Sequence, residues 1–224
     1  MKTEKVPVFI NNRNRLSTLT ALIDWLESVG TQDIFILDNA STYQPLLDFY
    51  CTTNHQVIRL RQNVGYLSFW ETGIWERFKS APYIYTDSDV VPVNECPSDY
   101  LEIFFEGLSR YREVEKVGFS LKIDDLPENY AGKAAVISHE SGMWTQKRDD
   151  IFYNAPIDTT FALYRGAARG GHWVPALRSA PPLIARHMPW YVNSRHLDAE
   201  ELFYRNSVNS DSTWTSKDKQ LNGS

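Results

Sequence analysis

The sequence predicts an α/β protein whose mostly parallel central sheet is flanked by helices, and three features predict it. Short apolar runs rich in β-branched and aromatic residues recur through roughly the first 95 residues. Between them lie stretches whose apolar residues repeat at helical spacing. Each run also ends in polar, chemistry-bearing side chains, at the edge where open α/β sheets hold their ligands. Strands alternating with helical patterns imply parallel strands joined by right-handed crossovers.

Val6 to Asn11 (VPVFIN) reads as the first buried strand. It opens into the donor-rich loop Asn11-Asn12-Arg13-Asn14-Arg15, then a helix carrying Leu16, Leu19, Leu22, Ile23 and Leu26 on one face. Gly30 stops that helix, since glycine readily takes the left-handed conformation that closes one. Asp33 to Leu37 is a second buried strand, ending in Asp38 and Asn39. A helix around Gln44 to Tyr50 leads to a third strand, Gln56 to Leu60, and then Arg61-Gln62-Asn63-Val64-Gly65-Tyr66, where Gly65 opens a helix bearing Phe69, Trp70, Ile74 and Phe78. The fourth strand, Tyr83-Ile84-Tyr85-Thr86, stops abruptly in Asp87-Ser88-Asp89.

Beyond Pro92 the texture changes. A helix from about Ser98 to Tyr111 precedes a strand over Lys116 to Ile123, and Asp124 to Gly132 reads as a polar loop. Ile157 to Arg165 reads as a strand with Asp158 near its start, and Gly166 to Pro182, rich in glycine, proline and arginine, as a loop able to order over a ligand. Asp198, Glu200 and Glu201 head a final helix to Asn206, acids being favoured in a first helical turn. The expected organisation is one domain over 1–224: a ligand-binding half over 1–95, a second half over 96–206, and a polar tail over 207–224.

With 224 residues and 42% hydrophobic content, the chain has enough apolar material for a full single-domain core. Its 23 Lys and Arg against 28 Asp and Glu leave a net charge of −5, which argues against a general nucleic-acid binder. The amino terminus lacks a signal-peptide apolar segment, and no apolar run approaches membrane-spanning length. Cys51 and Cys96 lie far apart without CxxC spacing, which suits a reducing compartment and excludes a disulfide framework or zinc site. A cytoplasmic protein is the expectation.

Two carboxylates at i and i+2 on a strand end, Asp87 and Asp89, can share one hard cation, and that cation can hold a diphosphate. A solvated Asp-Ser-Asp turn is the competing reading, because both residue types favour turns for local hydrogen-bonding reasons.

In order along the chain, Asn11-Asn12-Arg13-Asn14-Arg15, Asp38-Asn39-Ala40-Ser41, Asn63-Val64-Gly65-Tyr66 and Asp87-Ser88-Asp89 stand at successive strand ends. With these four signals the N-terminal portion resembles the family 2 glycosyltransferases with a GT-A fold, a Rossmann-like arrangement with a mixed, acceptor-side C-terminal part. Asp158-Thr159-Thr160-Phe161-Ala162-Leu163-Tyr164-Arg165 and Arg186-His187-Met188-Pro189-Trp190-Tyr191 look like those of small stand-alone or modular glycosyltransferases of bacteria and large algal viruses. The Glu-Asp pair that often marks the base in family 2 is absent in its usual form.

The resemblance implies a donor that is a nucleotide-diphosphate sugar, UDP-sugar favoured, a carbohydrate or glycoconjugate acceptor, and Mn²⁺ or Mg²⁺ as cofactor. It places Asp38 on the nucleobase or ribose, with Asn11, Arg13 and Asn63 lining the nucleotide. Asp87 then faces ribose or metal, Asp89 binds the cation, and His187 is a third ligand, with His172 and His196 as rivals. Each has a plainer reading: Asp38 as a helix cap, Arg13 as a surface charge, His187 as a packed core histidine. For an inverting transfer a carboxylate must take the acceptor's proton. Asp158 is the first choice, and Asp198, Glu200 and Glu201 compete, unless they are only first-turn helix acids. Arg165, Arg169 and Arg178 are suited to bidentate diphosphate contacts or are simply solvated. Trp144, Trp173, Trp190 and Tyr191 are suited to stacking on a sugar face, although some of the 7 Trp must be ordinary core.

The competing functions are a non-catalytic nucleotide-sugar or carbohydrate-binding module of a larger protein and, further off, a sugar-1-phosphate nucleotidyltransferase. The latter is expected to carry a glycine-rich loop after the first strand, where this chain has Asn-Asn-Arg-Asn-Arg. An aspartyl phosphatase is disfavoured because Asp87-Ser88-Asp89 sits at the fourth strand and is followed by Val90 rather than Thr.

Overall fold

The computed structural model describes residues 5–170 and 174–207. Its first four strands, β1 (Val8–Asn12), β2 (Ile34–Asp38), β3 (Gln56–Arg59) and β4 (Tyr83–Asp87), lie in the order β3-β2-β1-β4 and are all parallel. They are connected by α1 (Ser17–Ser28), by α2 (Gln44–Thr52), and by α3 (Ser68–Glu71) followed by a 3-10 turn (Ile74–Arg77). A tight turn after β4 enters β5 (Val90–Pro92), followed by α4 (Tyr100–Arg110), β6 (Lys116–Leu121) and α5 (Lys133–Glu140). A 3-10 turn (Ser141–Trp144), β7 (Phe152–Asn154), β8 (Ala162–Tyr164), β9 (Ala176–His187), a 3-10 turn (Met188–Tyr191) and α6 (Ala199–Ser207) complete the described chain. The nine strands form one sheet ordered β3-β2-β1-β4-β8-β6-β9-β5, with β7 also paired to β9. This is the predicted α/β architecture, with β8 antiparallel to β4 and β6. β9 runs parallel to β6 and antiparallel to β5 and β7.

The two faces of the sheet bury different cores, as the two-residue side-chain period of a strand requires. Val8, Ile10, Ile84, Val117, Phe119 and Leu163 face one side, with Leu19, Leu22, Ile23 and Leu26 of α1 and Phe104 of α4. Phe9, Tyr83, Tyr85 and Tyr164 face the other, against Phe69, Trp70 and Trp75. That second core is largely aromatic: Tyr83 and Tyr164 stack at 5.1 Å, and Phe9 and Phe69 at 4.2 Å. Two of its rings are joined by hydrogen bonds, Trp70 Nε1 donating to Tyr83 Oη at 3.0 Å and Tyr83 Oη donating to the Ala168 carbonyl at 2.6 Å.

Three sequence expectations need correction. The single helix expected from Gly65 to Phe78 breaks into α3 and a 3-10 turn at Gly73, whose φ of 77° is a conformation that β-carbon-bearing residues rarely adopt. The expected strand over Ile157 to Arg165 shrinks to β8, which leaves Asp158 in the loop before it. The expected ligand-covering loop over Gly166 to Pro182 instead contributes the start of β9, the longest strand, at 12 residues. Pro181 and Pro182 fit there because they fall in a register shift: β6 pairs Phe119 with Ser179 and then Ser120 with Ile184. The prolines therefore sit where no ladder donor is needed. Helix α5 and strands β5 and β7, unmarked by periodicity, are additional.

Candidate active site

The carboxyl ends of β1, β2 and β4 lie in register, with Asn11 opposite Asp87 and Asn12 opposite Asp38. Asn11 joins three of the four polar strand ends. Its Nδ2 donates to Asp87 Oδ1 at 3.2 Å, and its Oδ1 accepts from Asn39 Nδ2 at 3.1 Å and Ser68 Oγ at 2.9 Å. Asn39 in turn holds the fourth signal, donating to the Gly65 carbonyl at 2.6 Å and accepting from Val64 N at 2.8 Å. Asn63 is exposed and folds this turn locally, its Oδ1 accepting from Gly65 N at 3.0 Å.

Asp87 is half-buried, and Thr159 Oγ1 donates to its Oδ2 at 2.6 Å. Burial and the neighbouring Asp89 charge push its carboxyl well above the usual carboxylate range, against the pull of the Thr159 and Asn11 hydrogen bonds. Asp89 follows in the tight turn fixed by Ser88 N donating to the Asn11 carbonyl at 3.0 Å and Met188 N donating to the Asp89 carbonyl at 2.8 Å. His187 ends β9 opposite Val90, which brings its Nε2 to 3.6 Å from Asp89 Oδ1. Burial lowers the imidazole below its ordinary value despite Asp89. A neutral imidazole is the form that ligates metals.

Asp89 Oδ1 and His187 Nδ1 are buried without a hydrogen-bond partner among the described residues. Among the described residues no group of three or more Asp, Glu, His or Cys is assembled to hold a cation. The residues therefore fit a cation held by one carboxylate and one imidazole, the orphaned Asp89 oxygen supplying the hard donor, with other positions left to ligand oxygens and water. Asp87 stands beside it with its own oxygens taken by Asn11 and Thr159.

Arg15 closes this side of the site. Its Nε lies 4.0 Å from Asp89 Oδ2, its Nη1 pairs with Glu201 Oε2, and its guanidinium lies 3.8 Å over the Tyr204 ring. Burial works against the charge, but Glu201 and Asp89 outweigh it and hold Arg15 above its ordinary value. Sequence reasoning gave Arg15 no such role, because its partner lies 186 positions away.

Asp158 is exposed beside this cluster, immediately before the Thr159 that binds Asp87, and its charge adds to the upward push on Asp87. Beneath it lies Lys116, fully buried, its Nζ donating to the carbonyls of Ile157 at 2.5 Å and Asp158 at 3.2 Å. Burial pulls this amine down to about 8, opposed by Asp158. Heading an apolar run, Lys116 carries no sequence signal of burial.

Other predicted residues are engaged elsewhere. Asp38 is fully buried and accepts from Tyr50 Oη at 3.2 Å, Arg59 Nε at 3.1 Å and Ser41 N, which positions the loop after β2. Arg13 donates to the carbonyls of Asn39 at 2.7 Å and Ser207 at 3.1 Å. Asp198 caps α6 through Glu201 N at 2.7 Å, and Glu200 accepts from Ser17 N and Oγ at the start of α1. Arg165 donates to the carbonyls of Val114 at 2.7 Å and Leu108, away from the strand ends. Arg178 pairs with buried Glu140 at 2.6 Å, and Arg169 lies 4.9 Å over Trp75. His196 is exposed in a turn, while His172 and Trp173 lie outside the described residues. Trp190 is core, packed 4.7 Å from the His187 ring. Burial pushes the Cys96 thiol up to about 12, so it is no nucleophile at neutral pH. Among the described residues no helix is long and apolar enough to cross a membrane.

No family model matches the chain, and no curated protein matches it in sequence. Among solved structures, S. aureus TarS 1-349 is 15% identical with a TM-score of 0.44, covering 73% of this chain and 48% of that one. A structure of S. aureus TarS is 14% identical with a TM-score of 0.45, covering 73% and 29%. A cytidylyltransferase from Leptospira borgpetersenii serovar Hardjo-bovis (strain JB197) is 12% identical with a TM-score of 0.38, covering 55% and 56%. The chain thus spans less than half the length of either TarS structure. At these values the likeness assigns neither a family nor an activity.

Proposed function

We propose that this chain is a divalent-cation-dependent glycosyltransferase of the GT-A, family 2 kind, moving a sugar from a nucleotide-diphosphate donor to a carbohydrate or glycoconjugate acceptor. The observation that carries this reading is the convergence of Asn11, Asp87, Asp89 and His187 at one sheet edge, with exposed Asp158 beside them. Asp89 and His187 hold Mn²⁺ or Mg²⁺, which when bound supplies positive charge against a diphosphate leaving group. Asn11 and Asn39 fix the strand ends on which the nucleotide lies, and a UDP-sugar is the favoured donor.

Asp158 is the general base. Its carboxylate takes the proton of the acceptor hydroxyl as that oxygen bonds to the anomeric carbon from the face opposite the diphosphate. The bond from the anomeric carbon to the phosphate oxygen breaks, the nucleoside diphosphate carries off the electron pair, and the configuration inverts. Lys116 positions this base by tying down the carbonyls of Ile157 and Asp158. Asp198 and Glu200 are spent on capping helices, which leaves Asp158 the better placed of the candidate bases.

Purified protein incubated with UDP- and GDP-sugars, with and without Mn²⁺, tests the reading. Metal-dependent release of nucleoside diphosphate is expected, and accelerated release with a saccharide acceptor. Metal-dependent donor binding with no turnover on any donor and acceptor would instead identify a binding module.

A further inference from the structure

A cleft of about 350 Å³ opens between β9 and the Ser141–Trp144 turn, floored by Trp144, Pro181 and Ile184 and rimmed by Lys122, Asp124 and Ser141. We propose that it is a carbohydrate subsite that seats a sugar ring of the acceptor; this rests on the glycosyltransferase reading above.

Size is the first argument. The volume lies at the small end of the roughly 300–1,000 Å³ spanned by ligand sites, which suits a sugar ring rather than a nucleotide sugar. Chemistry is the second. A pyranose has an apolar C–H face and a ring of hydroxyls, and the cleft offers an indole and two aliphatic side chains within a polar rim. That rim is pre-organised: Lys122 Nζ lies 2.6 Å from Asp124 Oδ1 and 3.9 Å from Asp125, which also binds Arg186 at 2.6 Å and the Tyr191 hydroxyl at 2.5 Å. A carboxylate beside an ammonium gives adjacent sugar hydroxyls one acceptor and one donor.

Trp144 carries the third argument. Its ring is half-buried, set edge-on to Tyr153 at 5.5 Å, and its Nε1 is buried with no hydrogen-bond partner among the described residues. Buried indole N–H groups normally find an acceptor. A hydroxyl of a bound sugar would supply one after a small ring adjustment.

Location is the fourth. Ile184 and His187 lie on the same strand, about 10 Å apart at roughly 3.3 Å per residue. The cleft and the proposed cation site are thus held by one strand, Ile184 and His187 turning their side chains to opposite faces of it. The other main cleft, about 330 Å³, is lined by Val6, Val8, Asp33 and Tyr100 and shares no residue with this site.

The test compares wild type, Trp144→Ala, Trp144→Phe and Ser141→Trp, the last filling the mouth from an exposed position without altering the core. Acceptor saturation is measured with methyl glycosides and disaccharides, using whichever UDP- or GDP-sugar the wild type turns over, alongside saturation-transfer NMR with the same saccharides and no donor. Trp144→Ala and Ser141→Trp are expected to raise the acceptor KM about tenfold or more, with a much smaller change in donor KM. Trp144→Phe, which keeps an aromatic face, is expected to stay within a few-fold. Unchanged acceptor KM in folded Trp144→Ala and Ser141→Trp overturns the proposal. If the wild type turns over no donor, the glycosyltransferase reading fails, and the NMR arm still decides the cleft. Saccharide signal lost in both variants supports it, and no signal with the wild type overturns it.

Discussion

Lys116 carries an amine into the buried interior, where its Nζ donates to the carbonyls of Ile157 and Asp158. Its value of about 8 against an ordinary 10.5 means that between those pH values the unfolded chain binds a proton that the folded chain does not. Folding stability from this group therefore rises with pH across that window, by about 3 kcal/mol. Lys116→Met should flatten the rise, seen as the difference between denaturant-melt stabilities of wild type and variant from pH 8 to 10.5. At pH 7 the lost hydrogen bonds and the relieved charge oppose each other, so stability should change by no more than about 1–2 kcal/mol. Asp87 has the opposite sign. Its carboxyl is raised by burial and by Asp89, so it destabilises the fold increasingly as pH rises from the ordinary 3.8 through its folded value. Asp87→Asn should raise the melting temperature of the metal-free protein near neutral pH, by roughly 2–4 °C per kcal/mol relieved, while lowering donor turnover. An unchanged or lower melting temperature by calorimetry would contradict that account.

Helix α6 is fastened by side chains rather than by backbone pairing. Glu201 holds both Arg15 and Arg205, Glu200 accepts from Ser17, Phe203 packs 5.0 Å from Tyr43, and the Ser207 carbonyl and hydroxyl meet Arg13 and Asn14. Truncating one partner of a buried pair strands the other, at a cost of about 3–5 kcal/mol. Glu201→Ala should therefore free α6 and the loop over residues 11–17, seen as faster amide exchange there while the four parallel strands stay protected. The elements that the sequence made legible are those whose pattern and packing agree. β1, β2 and β4 are largely buried and read as near-continuous apolar runs, and α1 buries Leu19, Leu22, Ile23 and Leu26 on one side. β9 was hidden because its prolines and arginine read as loop chemistry, although Arg178 lies neutralised in the interior and the prolines occupy a register shift. Helix α5 was hidden because Val136 and Glu140 are its only buried residues, so almost no apolar stripe marks it.

Across the whole molecule, buried ionic groups run from the exposed base to the last helix: Asp158 near Lys116, Arg178 paired with Glu140, His187 beside Asp89, and Arg15 between Asp89 and Glu201, which also holds Arg205. Arg15 thereby lies between the carboxylates of Asp89 and Glu201, whereas Asp87 and Asp89 still repel each other. Part of this site was legible because a parallel sheet gathers its strand ends, so Asn11, Asn39, Asp87 and Asp89 had to meet. The cations were not legible, since Arg15 and Lys116 are defined by contacts far away in sequence. Within this arrangement Asp158→Asn should remove transfer while leaving donor affinity within a few-fold, read from single-turnover rates and donor titration. Retained turnover would move the base elsewhere. The central claim is that Asp89, with His187, holds a cation on which a nucleotide-sugar diphosphate rests. Calorimetric titration of UDP- and GDP-sugars with and without Mn²⁺ into wild type and Asp89→Ala measures this most directly. Binding that requires Mn²⁺ and weakens about a hundredfold or more in the variant is predicted, and binding indifferent to both the cation and Asp89 would contradict it.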